Sequence, residues 1–290
     1  MDSSRARGML LATVGIGILS FDALLVRLVE ADASVIAFYR GFFMGVIMLF
    51  VLIVKGERNI LPKGKKDIFM ILLVALISGI GTSLFVFSVK YTVAANTVVF
   101  LATSSFFGAI FSYLILKEKI KKETALAIGV SFFGVVVIFG NSFGVGGNLF
   151  GDFLGILLAV FMGLQLTLLR KYKHFSHYFI ISASGFLLMI IMYFIADDIF
   201  VISLKSLFWL FLMGLMQVSA MFLIYGATKY ITSAEVGVFS TIETVLAPIW
   251  LWLFVAEIPP SLTVMGGIFV ISAIFINAYP LKKSKRDKLL

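Results

Sequence analysis

Charged and turn-forming residues interrupt this chain at intervals and leave between them long stretches in which apolar residues follow one another with no polar face. A helix that is apolar all round belongs in lipid or in a deep core, and about 20 such residues cross a hydrocarbon layer about 30 Å thick. Cutting the chain at the interruptions predicts ten such helices, at residues 8–28, 34–53, 68–89, 94–116, 124–140, 153–169, 178–196, 207–228, 233–255 and 262–278. Those at 124–140, 153–169 and 262–278 have 17 residues each, the short end for a crossing, so an interfacial or tilted placement is the alternative for them.

Composition changes the choice between lipid and core. With 290 residues, 61% of them hydrophobic, and 31 Phe among them, the chain carries more apolar surface than a soluble domain of this length can enclose. The class is therefore all-α integral membrane protein. The apolar run after Met1 to Arg7 is too long for a signal peptide and ends in no small-residue cleavage site, so it reads as the first, uncleaved span. The absence of Cys excludes disulfides and thiol chemistry. The net charge of +9 takes its meaning from where the charges sit. Assigning loops alternately to two sides gives one side 20 of the 24 basic residues, and the positive-inside rule then puts both termini in the cytoplasm. No nucleic-acid partner follows from the charge; lipid headgroups do.

Shifting the chain by 139 residues superposes Lys90-Tyr91 on Lys229-Tyr230, Ala95 on Ala234, Val99-Phe100 on Val238-Phe239 and Glu118 on Glu257. Apolar bias can imitate the Val and Phe matches but not the Lys-Tyr and Glu register. A slightly larger offset brings Arg27 over Arg170. The chain thus divides into two halves, 1–141 and 142–290, of five spans each. An odd number of spans makes the second half enter the membrane from the opposite face, the inverted repeat found in secondary transporters, whose substrate site lies near the midplane.

The glutamates after the fourth and ninth spans, in Leu116-Lys117-Glu118-Lys119-Ile120 and Val255-Ala256-Glu257-Ile258-Pro259, occur with Ser20-Phe21-Asp22 and with Ala37-Phe38-Tyr39-Arg40-Gly41 in the first two spans. With these features the chain resembles, over its whole length, the EamA-type branch of the drug/metabolite transporter superfamily. It departs from that family's habit of a Pro near the start of the fourth and ninth helices: Ser105 and Thr244 stand at about those places, and Pro248 follows in the ninth only. The resemblance implies a cavity walled by the first, third, fourth, sixth, eighth and ninth helices, with Thr82, Ser83, Thr103, Ser104, Gln217, Tyr225 and Glu243 as candidate lining residues.

Ionisable groups deep in a bilayer cost at least about 2.5 kcal/mol on insertion scales and so require a partner, a wet cavity or a function. Glu243 lies midway along the ninth span, and the repeat pairs it with Ser104 at the same depth. Two symmetry-related polar positions there suit a substrate or coupling site, and a carboxyl that is costly to charge suits proton exchange; interhelical hydrogen bonding is the competing role. Asp22 and Arg40 fall in neighbouring spans and are expected to pair, as a gate or as a structural ion pair. Arg27 stands close enough to its helix end to snorkel to the interface. Trp209, Trp250 and Trp252 read as interface anchors, Gly41 and Gly45 as a close helix contact, and His174 and His177 as loop residues without the carboxylate neighbour that a metal site would need. No nucleotide-binding, zinc-protease or serine-hydrolase motif occurs, so no cofactor and no enzymatic chemistry are implied. The expected function is export of a small metabolite, such as an amino acid or related amphipathic compound, across the inner or plasma membrane by a monomer using its own or a proton gradient. Amine or multidrug efflux, a non-transporting membrane subunit and a membrane-embedded enzyme are the alternatives.

Overall fold

The computed structural model describes residues 3–55, 64–120, 122–142, 148–172, 175–227, 230, 239 and 241–278. They form twelve α-helices: α1 Ser3–Leu19, α2 Asp22–Leu28, α3 Ala33–Lys55, α4 Lys65–Tyr91, α5 Ala94–Ala102, α6 Ser104–Phe111, α7 Lys122–Ser142, α8 Leu149–Lys171, α9 His177–Tyr193, α10 Leu204–Ala227, α11 Thr241–Val255 and α12 Ser261–Ala278. A π-helical turn, Ser112–Leu116, continues α6. Six helical stretches among the described residues are long and apolar enough to cross a membrane, and four shorter apolar helices accompany them. Such sequences fold this way because lipid offers the backbone no hydrogen-bond partner, and a helix satisfies its own.

Two stretches read as continuous spans are broken. The first turns at Ser20 and Phe21, where the Ser20 hydroxyl donates to Gly17 O at 2.6 Å and α2 restarts at Asp22. The fourth breaks at Thr103, whose hydroxyl donates to Phe100 O at 2.7 Å. Neither break contains Pro; the hydroxyls, bonding back to carbonyls three residues earlier, re-satisfy the backbone where the helix yields.

Packing follows small residues, since lipid tails offer no hydrophobic drive for apolar helices to associate. On α3, a Cβ at Gly41 would stand 2.7 Å from Gly185 O of α9, and one at Gly185 would stand 2.6 Å from Gly41 O. Ser182 of α9 donates to Gly45 O at 3.0 Å, so the two helices run antiparallel. Gly134 of α7 and Gly266 of α12 make a similar backbone approach. The contacts between the halves come in matching sets: α4 packs on α8 and α9, and α10 packs on α1 and α3. Large exposed apolar side chains such as Phe50, Phe69, Phe208, Trp252 and Ile268 cover the outside, where a soluble protein would carry charge.

Candidate functional site

Around the break in the first span, α2, α3, α10 and α11 bring together the charges that sequence reasoning singled out. Asp22 opens α2, and Arg40 of α3 meets it with both ends of its fork, Nη1 to Oδ1 at 2.8 Å and Nη2 to Oδ2 at 2.7 Å. Nη2 also donates to Gln217 Oε1 of α10 at 2.9 Å, and Nη1 to Met213 Sδ at 3.4 Å. The guanidinium stands 5.2 Å over the Phe85 ring of α4. Arg40 is buried, at 4% exposure, and its Nε has no hydrogen-bond partner among the described residues. Glu243, in the first turn of α11, lies within electrostatic reach of both Asp22 and Arg40. The cluster therefore holds one guanidinium and two carboxyl groups. Such a set can bind an ammonium group or exchange a proton, since among the described residues the second carboxyl has no matching cation of its own.

The other expected lining residues divide. Gln217 is in the cluster. Thr82 and Ser83 of α4 turn their hydroxyls to their own helix, at Ser78 O (3.0 Å) and Ile80 O (2.7 Å). Thr103 does the same at the break in the fourth span. Ser104 opens α6, where its carbonyl would stand 2.8 Å from a Cβ at Gly163 of α8. The side chain of Tyr225 lies outside the described residues. Trp250 is no interface anchor, since its indole N–H donates to Ser20 Oγ at 2.9 Å and its ring stacks on Phe21 at 4.6 Å. Its place opposite the kink in the first span explains the inward turn.

Arg27 does not snorkel freely either. Its Nε lies 2.8 Å from Glu257 Oε2, its Nη2 donates to Thr92 O at 2.7 Å, and Glu257 Oε1 accepts from Ala94 N at 2.6 Å. Arg27, Thr92 and Glu257, with Lys90, Tyr91, Val93, Asn148 and Val255, line an open cavity of about 540 Å³. Beside it, Asp152 of α8 is fully buried and accepts from Thr92 Oγ1 at 2.6 Å and Asn96 Nδ2 at 3.0 Å, while Asn96 Oδ1 accepts from Thr263 of α12 at 2.6 Å. Sequence reasoning left Asp152 in a loop, one residue before the sixth span; a polar residue at a helix start ordinarily faces water, and its partners Thr92 and Asn96 lie 60 and 56 residues away in the chain. Among the described residues no group of three or more His, Cys, Asp or Glu is placed to share a metal ion.

A multi-pass helical protein with a buried charged cluster at a broken helix is of the kind that carries solutes across membranes. The EamA-like transporter family model matches residues 6–140 and again 149–279, once in each half. The chain belongs to that family, within the drug/metabolite transporter superfamily. It is 28% identical over 263 residues to an uncharacterized transporter of Clostridium kluyveri, covering 82% of this chain and 84% of that one. It is 27% identical to the uncharacterized transporter YetK of Bacillus subtilis, covering 85% and 78%, and 25% identical to human solute carrier family 35 member G1, covering 84% and 71%. A solved crystal structure superposes with a TM-score of 0.63 at 13% identity over 96% of this chain and all of the other, which speaks for the fold alone.

Proposed function

We propose that this protein is a secondary transporter that exports a small amphipathic metabolite of the amino-acid class by alternating access, acting as a monomer in the inner or plasma membrane. In this reading ten spans form two inverted halves with both termini in the cytoplasm. The antiparallel packing of α3 on α9 and the matching contact sets between the halves support the inversion. The observation that carries the function is the Asp22–Arg40–Gln217 cluster with Glu243 in reach. Burying these charges is costly, and a substrate bearing both ammonium and carboxylate has a partner there for each end. With no nucleotide motif, a proton or substrate gradient supplies the energy.

The carboxyl of Glu243, in excess over the Asp22–Arg40 pair, favours a second reading, efflux of amphipathic amines. Purified protein in liposomes, offered a panel of labelled amino acids and organic amines with and without a pH gradient, separates the two. Counterflow of an amino acid supports the first, counterflow of amines alone supports the second, and movement of neither points to a non-transporting subunit or an enzyme.

A further inference from the structure

Two ion pairs outside the central cluster are copies of one another. Arg27–Glu257 closes at 2.8 Å, and so does Arg170–Glu118. The repeat register that carries Glu118 onto Glu257, together with the slightly larger one that carries Arg27 onto Arg170, maps one pair onto the other. The backbone repeats as well. Each glutamate follows a left-handed residue that ends its helix, Lys117 (φ 60°) or Ala256 (φ 54°). The N–H of each then bonds back to the carbonyl six residues earlier, Glu118 to Ser112 at 3.3 Å and Glu257 to Leu251 at 3.2 Å. Neither residue in this strained conformation is Gly, so the same turn is held at the same register twice.

Both pairs join the first half to the second, and they sit at opposite ends of the bundle. Arg27 touches Thr92, Thr92 packs on Gly151 at the start of α8, and Arg170 is near the end of that helix, about 30 Å away at 1.5 Å per residue. They are not equally buried. The side chains of Arg27 and Glu257 are 24% and 21% exposed, those of Arg170 and Glu118 62% and 47%, and only the first pair is seen among the described residues to be tied further, through Thr92 O and Ala94 N.

We propose that the two pairs are alternating latches. Arg27–Glu257 locks the halves together on one face and Arg170–Glu118 on the other, and each passage of the transport cycle releases one while the other stays closed. The inference rests on the alternating-access reading: when one half rocks against the other to open one face, the cross-half tie on that face parts while the tie at the opposite end holds. This structure, with both pairs closed at 2.8 Å, is then the state shut on both faces.

The chain has no native cysteine, so one reporter thiol, Met213→Cys beside Arg40 or in a parallel set Thr82→Cys, reads which face the core opens to. A membrane-impermeant maleimide is offered to intact cells and to inverted vesicles containing the full chain. Glu257→Gln should raise labelling from the Arg27 face and lower it from the Arg170 face, each about two- to fivefold, the population shift an ion pair of this exposure commands. Glu118→Gln should do the reverse, and the exchanged double variant Arg27→Glu with Glu257→Arg should restore the native ratio. A purely structural staple would move both ratios in one direction or neither; that outcome, with labelling still seen from each face, overturns the latches alone. Labelling of both reporters from neither face, or of one molecule from both faces at once, overturns alternating access and the latches with it.

Discussion

Arg40 is the residue on which the central cluster depends. Removing one partner from a buried ion pair strands the other, at a cost of about 3–5 kcal/mol, and Arg40 also supports Gln217 and faces Phe85. Arg40→Ala is expected to lower the melting temperature of the detergent-solubilised protein sharply, as is Asp22→Ala. Arg40→Lys should recover little, because a point charge cannot reproduce the two-pronged contact with Asp22. Glu243 is different in kind, since the Asp22–Arg40 pair closes without it. Glu243→Gln preserves shape and hydrogen-bonding capacity while removing titration, so it should fold and melt as the native protein does, yet transport more slowly and with a flattened dependence on pH. Unchanged rate and pH dependence would assign Glu243 to interhelical bonding and move the search for the site to Gln217 and Tyr225.

Among the elements, those that meet through glycine leave the least room. A side chain at Gly185 would run into the backbone of Gly41 and Gly45, both within 2.6 Å of its Cβ, and backbone cannot step aside as a side-chain tip can. Gly185→Val is therefore expected to force α3 and α9 apart and destabilise by about 1–3 kcal/mol or more, read as a lowered melting temperature; Gly17→Val, which meets nothing within 4 Å, should be near neutral at the same readout. The Gly41/Gly45 spacing was legible in the sequence because small residues four apart share one helix face. Stretches lying in lipid were legible too: the fourth span predicted at 94–116 coincides with the apolar helix Ala94–Leu116. The breaks at Ser20 and Thr103 were not, because Ser and Thr in such helices usually bond their own backbone without breaking it. Asp22 and Arg40 could be paired from sequence by cost alone, whereas Arg27–Glu257 joins residues far apart in the chain through a fold that periodicity does not describe. Asp152 was missed because burial at a helix start depends on what the neighbouring loop places over it.

At the scale of the whole molecule the decisive question is which ends of the helices share a face. α4 runs from Lys65 to Tyr91, about 40 Å at 1.5 Å per residue, enough to cross a bilayer. Its far end lies against Gly151 at the start of α8, three residues beyond the Asn148 cap. Lys65 and Asn148 thus belong to opposite ends of the bundle, and in the reading proposed above the basic loops put the Lys65 end in the cytoplasm. A single thiol at Lys65→Cys or Lys285→Cys is therefore expected to react with an impermeant maleimide in inverted vesicles and not in intact cells, and one at Gly147→Cys the other way round. The background is clean, because the native chain has no cysteine. Reaction of positions 65 and 147 from the same side would break the membrane crossing of α4 and with it the ten-span, inverted arrangement. Reaction of 65 and 285 from opposite sides would leave α4 in place but require an even number of crossings after it, and so an odd total with the two before it, so that two halves of five spans each could not be related by inversion.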